Sequence, residues 1–181
     1  VKAMENTPFL NFELLFNTKE SSFSLKDGLG LDDQGYFYAK LFSGYELSVL
    51  QDEEFSYSEI KGEIGNFLIK RNKRKDWSLN NETKVINGFV CYKATAKKTV
   101  ENRVGVFHFP IIAWYCPQIP LSYGPNGYGG LPGLILELQI RNILFGVKKI
   151  DLKPDQIIVI PQRKDYKILT EKEYESLPIK K

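Results

Sequence analysis

The sequence predicts a mostly β protein: one domain over residues 1–181, built on an antiparallel, strongly curved sheet of half-barrel or barrel-like form, with one short C-terminal helix. Three observations predict it. Period-2 alternation of apolar and polar residues recurs along the chain, whereas a helix signal occurs once. Turn-forming residues return at roughly 8–12-residue intervals, the spacing of short antiparallel strands. Aromatic residues make up 13% of the chain, with ten Tyr and twelve Phe, and these types favour pleated sheet.

Length and composition bound the rest. At 181 residues the chain is long enough for a sizeable core. The 43% hydrophobic and 26% charged content argues against disorder. The net charge of +3 is too small and too dispersed for a nucleic-acid partner. No apolar run reaches the length of a transmembrane helix. One histidine and two cysteines cannot build a tetrahedral metal site, and no motif calls for a cofactor.

The elements read as follows. Residues 9–16 alternate, with Phe12, Leu14 and Phe16 on one face, and form a strand. Ser21–Leu25 is a short return strand. Residues 26–35 form a loop; Asp27, Asp32 and Asp33 lack the spacing and terminal Glu of a calcium loop. Strand candidates follow at 36–42, 45–50, 55–60 and 67–70. Residues 71–75 place four basic side chains in five positions and read as an exposed turn, with anionic lipid as its functional alternative.

A long strand pattern covers 84–98. Within it Asn87-Gly88 is open to two readings, a tight turn or a bend inside the strand. Residues 104–116 are apolar on both faces, so both faces should be covered. Pro110 inside that run demands an edge position, a bulge or a break. Leu134–Ile140 alternates, with Leu134, Leu136, Leu138 and Ile140 on one face. Arg141-Asn142 makes a two-residue turn into a strand over 143–152, and 157–160 is a short buried strand. Thr170 with Glu173 forms a capping box, which predicts a helix over 171–176.

Between two of these strands lies the most distinctive stretch. Residues 123–133 hold five glycines and two prolines in eleven positions. Glycine permits positive φ and close backbone approach, and proline fixes φ, so the backbone itself sets the loop's path. No Gly-Lys-Ser/Thr follows, and a strand rather than a helix comes next, so a phosphate cradle is excluded. Two readings remain: a long crossover loop between two sheet strands, needed only for folding, or a preformed binding rim. On the second reading, Trp114, Tyr115, Tyr123, Tyr128, Gly130, Leu131, Pro132 and Gly133 are the candidate binding residues.

Trp114-Tyr115, Ile119-Pro120, Gly124-Pro125 and the run Gly129-Gly130-Leu131-Pro132-Gly133-Leu134-Ile135-Leu136-Glu137 resemble the signature of the GLPGLI family. Trp77 and the segment from Glu82 to Ala94 resemble a second family segment, with Phe89 where tyrosine is more usual. The tail at 170–174 is similar as well. The resemblance implies a mostly β, exported protein of a Gram-negative envelope, in the periplasm or at the cell surface. It implies no activity and carries no catalytic residue. Read with it, a chain opening at Val1 without methionine implies a removed export signal.

Cys91 and Cys116 fall in strand-like segments. In an oxidising compartment they would close a loop of about 25 residues, worth roughly 3 kcal/mol in the chain-entropy model. The alternative is two buried free thiols acting as small apolar residues. His108 and Ser122 lack the nucleophile-elbow context of a hydrolase, so no catalytic residue is assigned, and His108 is expected to be partnered within a strand. Three functions remain open. The leading one is a non-catalytic binding module for an apolar ligand: a lipid, a lipidated chain or a peptide. The second is an envelope protein–protein interaction module, and the third a hydrolase using His108.

Overall fold

The computed structural model describes residues 10–26, 48–155 and 157–178. Among these the chain is mostly β, with eleven strands and one short α-helix. It divides into two compact units, residues 1–72 with 158–181 and residues 73–157. The strand candidate at 36–42 and the aspartate-rich loop lie outside the described residues.

The first unit holds β1 (Phe12–Phe16), β2 (Ser21–Leu25), β3 (Ser48–Gln51), β4 (Phe55–Gly62), β5 (Gly65–Asn72) and β11 (Lys167–Thr170), in the order β1-β2-β3-β4-β5-β11. Pairing is antiparallel up to β5, but β11 joins β5 in parallel, Lys167 opposite Phe67. That pair corrects the expectation of a wholly antiparallel sheet. Residues 167–170 carry no clear alternation, which is why the sequence pattern missed β11. Phe23, Val49, Phe67 and Ile69 form the apolar interior. Phe12 stacks on Phe23 with ring centroids 5.1 Å apart.

The helix α1 (Glu171–Glu175) starts as the capping box predicts. The Glu173 N–H donates to the Thr170 hydroxyl, and the Thr170 N–H donates to the Glu173 carboxylate at 2.7 Å. Tyr174 then packs edge-on against Phe67 at 5.5 Å, which ties the helix to β5. Glu59 is buried on β4. The Tyr166 hydroxyl donates to it at 2.5 Å, and Arg163 and Lys61 lie at 3.4 and 3.3 Å. Burial opposes its ionisation, but the Tyr166 hydrogen bond and the two cations outweigh that and hold its carboxyl below the ordinary value.

The second unit is an antiparallel sheet of order β10-β9-β8-β7-β6. Its strands are β6 (Ser78–Ile86), β7 (Phe89–Asn102), β8 (Gly105–Cys116), β9 (Leu134–Ile140) and β10 (Ile143–Gly146). Neither sheet closes on itself, so the barrel form is not realised among the described strands. Asn87 (φ 49°) and Gly88 (φ 83°) form the tight turn between β6 and β7, which settles the choice left open by the sequence. The β9–β10 turn falls at Arg141-Asn142 as expected, with the positive φ (57°) on Arg141.

Other expectations need correction. The strand after Asn142 ends at Gly146, short of residue 152. Residues 157–160 form no strand: Ile157 and Val159 are exposed and only Ile160 is buried. A four-residue apolar run does not by itself distinguish a strand from an irregular segment.

Pro110 obeys its constraint. It pairs with Lys97 of β7, and its carbonyl accepts from the Arg141 N–H at 3.4 Å. A residue's N and O project to the same side of a strand, so the missing N–H faces the side where pairing with β9 ends at Ile111. Beyond that point, among the described strands, β8 pairs only with β7. Residues 106–108 are exposed, and the expectation that both faces of 104–116 are covered holds only for the half nearer Cys116.

Candidate functional site

The stretch between β8 and β9 joins neighbouring strands, so its length is not needed for a crossover. It folds back and is fastened to the strands it connects. The Leu134 N–H donates to the Ile119 carbonyl at 2.9 Å, and the Ile135 N–H to the Tyr123 carbonyl at 3.0 Å. A short 3₁₀ turn, Pro125–Gly127, reverses the chain with Asn126 at φ 51°. The Gly130 N–H then reaches the Ser122 hydroxyl at 3.0 Å.

Three glycines are set by close approach. A Cβ on Gly133 would lie 2.3 Å from the Cys116 carbonyl oxygen. One on Gly124 would lie 2.7 Å from the Tyr128 carbonyl oxygen, and one on Gly130 2.1 Å from that of Arg74. All are far inside contact distance, so only glycine fits.

The segment before β6 meets this loop. The Trp77 indole N–H donates to the Gly129 carbonyl at 2.9 Å, and the Lys73 ammonium to the Ser122 carbonyl at 2.9 Å. Lys73 also sits 4.4 Å from the centroid of the Tyr123 ring. The guanidinium of Arg74 pairs with Asp76 and bonds the Lys97 carbonyl. Residues 71–75 are therefore not an exposed turn: Arg71 and Asn72 finish β5, Lys73 is buried and Arg74 is engaged. Charge alone misled the sequence reading here, because a lysine stem can bury while its head finds a carbonyl and a ring face.

The candidate binding residues fall into three groups. Tyr115, Tyr123, Leu131 and Gly133 are buried, while Trp114 and Tyr128 are half-buried, and Gly130 and Pro132 are exposed. Trp114 lies in a cluster of charges the sequence did not announce. Lys84 is 4.5 Å from its ring centroid and Lys93 6.0 Å. Lys84 pairs with Glu137 at 2.5 Å, and Lys93 with Glu82 at 2.9 Å. Register brings them together, since Trp114 stands opposite both Lys93 and Glu137. Alternation placed each on a face, but which strands were neighbours could not be read from it.

Cys91 and Cys116 are free and buried. One register step past Tyr92–Tyr115 sets them opposite each other on β7 and β8. Burial, then the neighbouring Cys116, pushes the Cys91 thiol up to about 11. Tyr115 is likewise raised, by burial and by Tyr92.

His108 is exposed and hydrogen-bonded to Thr99 across the β7–β8 pair at 3.0 Å. The Ser122 hydroxyl is taken up by the Gly130 N–H. Among the described residues no group of three or more His, Cys, Asp or Glu is placed to hold a metal ion, and no helix is long and apolar enough to cross a membrane.

The fold defines a β protein whose most constrained feature is this glycine-pinned connection. Residues 104–137, which span β8, the connection and the start of β9, match the model of a family described as "Protein of unknown function (Porph_ging)". No curated protein and no solved structure matches the chain.

Proposed function

We propose that this chain is a non-catalytic binding module of a bacterial cell envelope, and that the outer margin of its five-stranded sheet holds an apolar ligand: a lipid, a lipidated chain or a peptide. The observation that carries the reading is a single sheet face with two characters. At its centre Ala94, Ala113 and Leu138 stand side by side and are fully buried. On the same face toward the β6 edge, Val85, Val90 and Tyr92 remain 68%, 41% and 38% exposed. A contiguous apolar margin beside a buried centre is the kind of surface that marks a binding site. The envelope setting rests on the sequence resemblance. The partners of His108 and Ser122 lend a hydrolase no support.

A second reading, a protein partner, draws on the position of Leu79 and Val85. Both are exposed on β6, the edge strand of this sheet among the described residues, and an edge strand can take on an extended peptide. A register shift between Leu79 and Thr83 interrupts that edge and counts against simple strand addition.

Native mass spectrometry of protein isolated without detergent tests the proposal. Extra mass of a small apolar molecule, lost in a Val90→Ser/Tyr92→Ser variant that still folds, is the expected result. A bare-chain mass for wild type overturns the ligand reading, and a bound polypeptide in its place favours the second.

A further inference from the structure

We propose that the outer part of the β7–β8 hairpin docks on an anionic lipid surface. From Lys98 to Phe109, among the described strands, these two pair only with each other, because the pairing of β8 with β9 ends at Ile111. The ribbon extends roughly 20 Å past that point. A two-stranded ribbon has no second layer on which to bury its side chains, yet this one is apolar where it is farthest out. Val104 at the turn is 84% exposed, and Phe107 is 40% exposed. Phe107 and Phe109 share a face with their rings 11° from parallel, and the Arg141 guanidinium lies 4.0 Å from the Phe109 centroid.

Charge decides the partner. Lys97, Lys98 and Arg103 lie on the ribbon, Arg141 stands at its base, and Glu101 is the ribbon's one carboxylate. Three excess positive charges thus lie along the ribbon and at its base, behind an exposed apolar tip, in a chain whose total is +3. Apolar side chains gain by leaving water, and each cation near an anionic headgroup layer adds to binding. A tip of Val104 and Phe107 carried on a cationic ribbon meets both demands of such a surface. This assignment is independent of the ligand proposed for the β6–β7 margin, which lies at the other end of β7.

The full chain would be sedimented with vesicles of phosphatidylcholine alone and of an equal mixture of phosphatidylcholine and phosphatidylglycerol. Binding to the mixed vesicles, weakened by salt, is expected, with little on the neutral ones. Lys98→Ser and Arg103→Ser should each weaken it about fivefold. Val104→Ser/Phe107→Ser should weaken it about tenfold or more, with the urea midpoint little changed. Equal binding to both vesicles, or wild-type binding by the variants, overturns the proposal. Binding to soluble polyglutamate without binding to vesicles overturns it in favour of an acidic protein partner, and a tip-dependent dimer in light scattering overturns it in favour of a second copy.

Discussion

Gly130 meets the backbone of Arg74 so closely that a Cβ on the glycine would stand 2.1 Å from the Arg74 carbonyl oxygen. Gly130 also holds φ at +84°, where L side chains are strained. Two costs therefore act on any substitution, and they can be separated. Gly88 has nearly the same φ, +83°, with nothing within 4 Å of its missing Cβ. Gly88→Ala should cost about 1 kcal/mol, the backbone part alone. Gly130→Ala should cost about 2–4 kcal/mol, because collision is added to strain. Urea midpoints check both. Equal losses would mean that the Arg74 contact yields easily and the signature does not clamp.

The cysteine pair gives a second expectation. Directly opposite positions on antiparallel strands bring two side chains close, and these thiols are buried with Cys91 raised to about 11. Thiolate is therefore scarce at neutral pH, and the folded, reduced protein should alkylate far more slowly than the protein in urea. Refolding from the reduced chain in oxidised glutathione should close a Cys91–Cys116 bridge, seen as an intact mass lower by two protons. Glutathione is reduced as the two thiols are oxidised. The bridge should raise stability by up to about 3 kcal/mol. Persistent mixed disulfides with glutathione would show that the opposed geometry does not suit a bond.

Glu59 sets an acid limit on the first unit. Its carboxyl is held below the ordinary value despite burial, chiefly by Tyr166 and then Arg163. A depressed carboxylate adds stability that is fully present above its unfolded-state pKa and is lost as pH falls through the folded one. Urea midpoints should thus decline from about pH 5 downward. Tyr166→Phe should lower the midpoint more at neutral pH than in acid, since it removes a bond made to the ionised form. A uniform loss at all pH values would show that Tyr166 acts by packing alone.

What was legible in the sequence depended on how local its cause was. Thr170 and Glu173 lie three residues apart, and the helix they start is where the capping box put it. Leu134–Ile140 carried a clean alternation and formed a strand with those bounds, and Ser21–Leu25 formed the expected return strand. Pro110 announced an edge position, a bulge or a break, and the structure resolves this as the point where pairing with β9 ends. Short apolar runs such as 157–160 misled locally, and other errors came from distant pairing. The pairing of β11 with β5 joins residues about a hundred positions apart, and nothing in Lys167–Thr170 marks it. The glycine-rich stretch was recognisable as constrained, but not as pinned against Arg74 and Cys116, because backbone–backbone approach has no side-chain signature.

Lys73 shows the same limit and closes with a test. It looked like one member of a basic run, yet it is buried while Lys75, two positions on, is exposed. Its ammonium donates to the Ser122 carbonyl and covers the Tyr123 ring, so it joins the chain before β6 to the signature loop. Hydrogen bonds to a charged group contribute about 1.5–3 kcal/mol, and Lys73→Ala should cost about that much. Lys73→Met keeps most of the buried stem but loses the bond, and should recover only the packing share. Lys75→Ala should fall within about 0.5 kcal/mol of wild type. If the two alanine variants unfold at the same urea concentration, the buried lysine does not hold the loop, and the clamp reduces to its glycines.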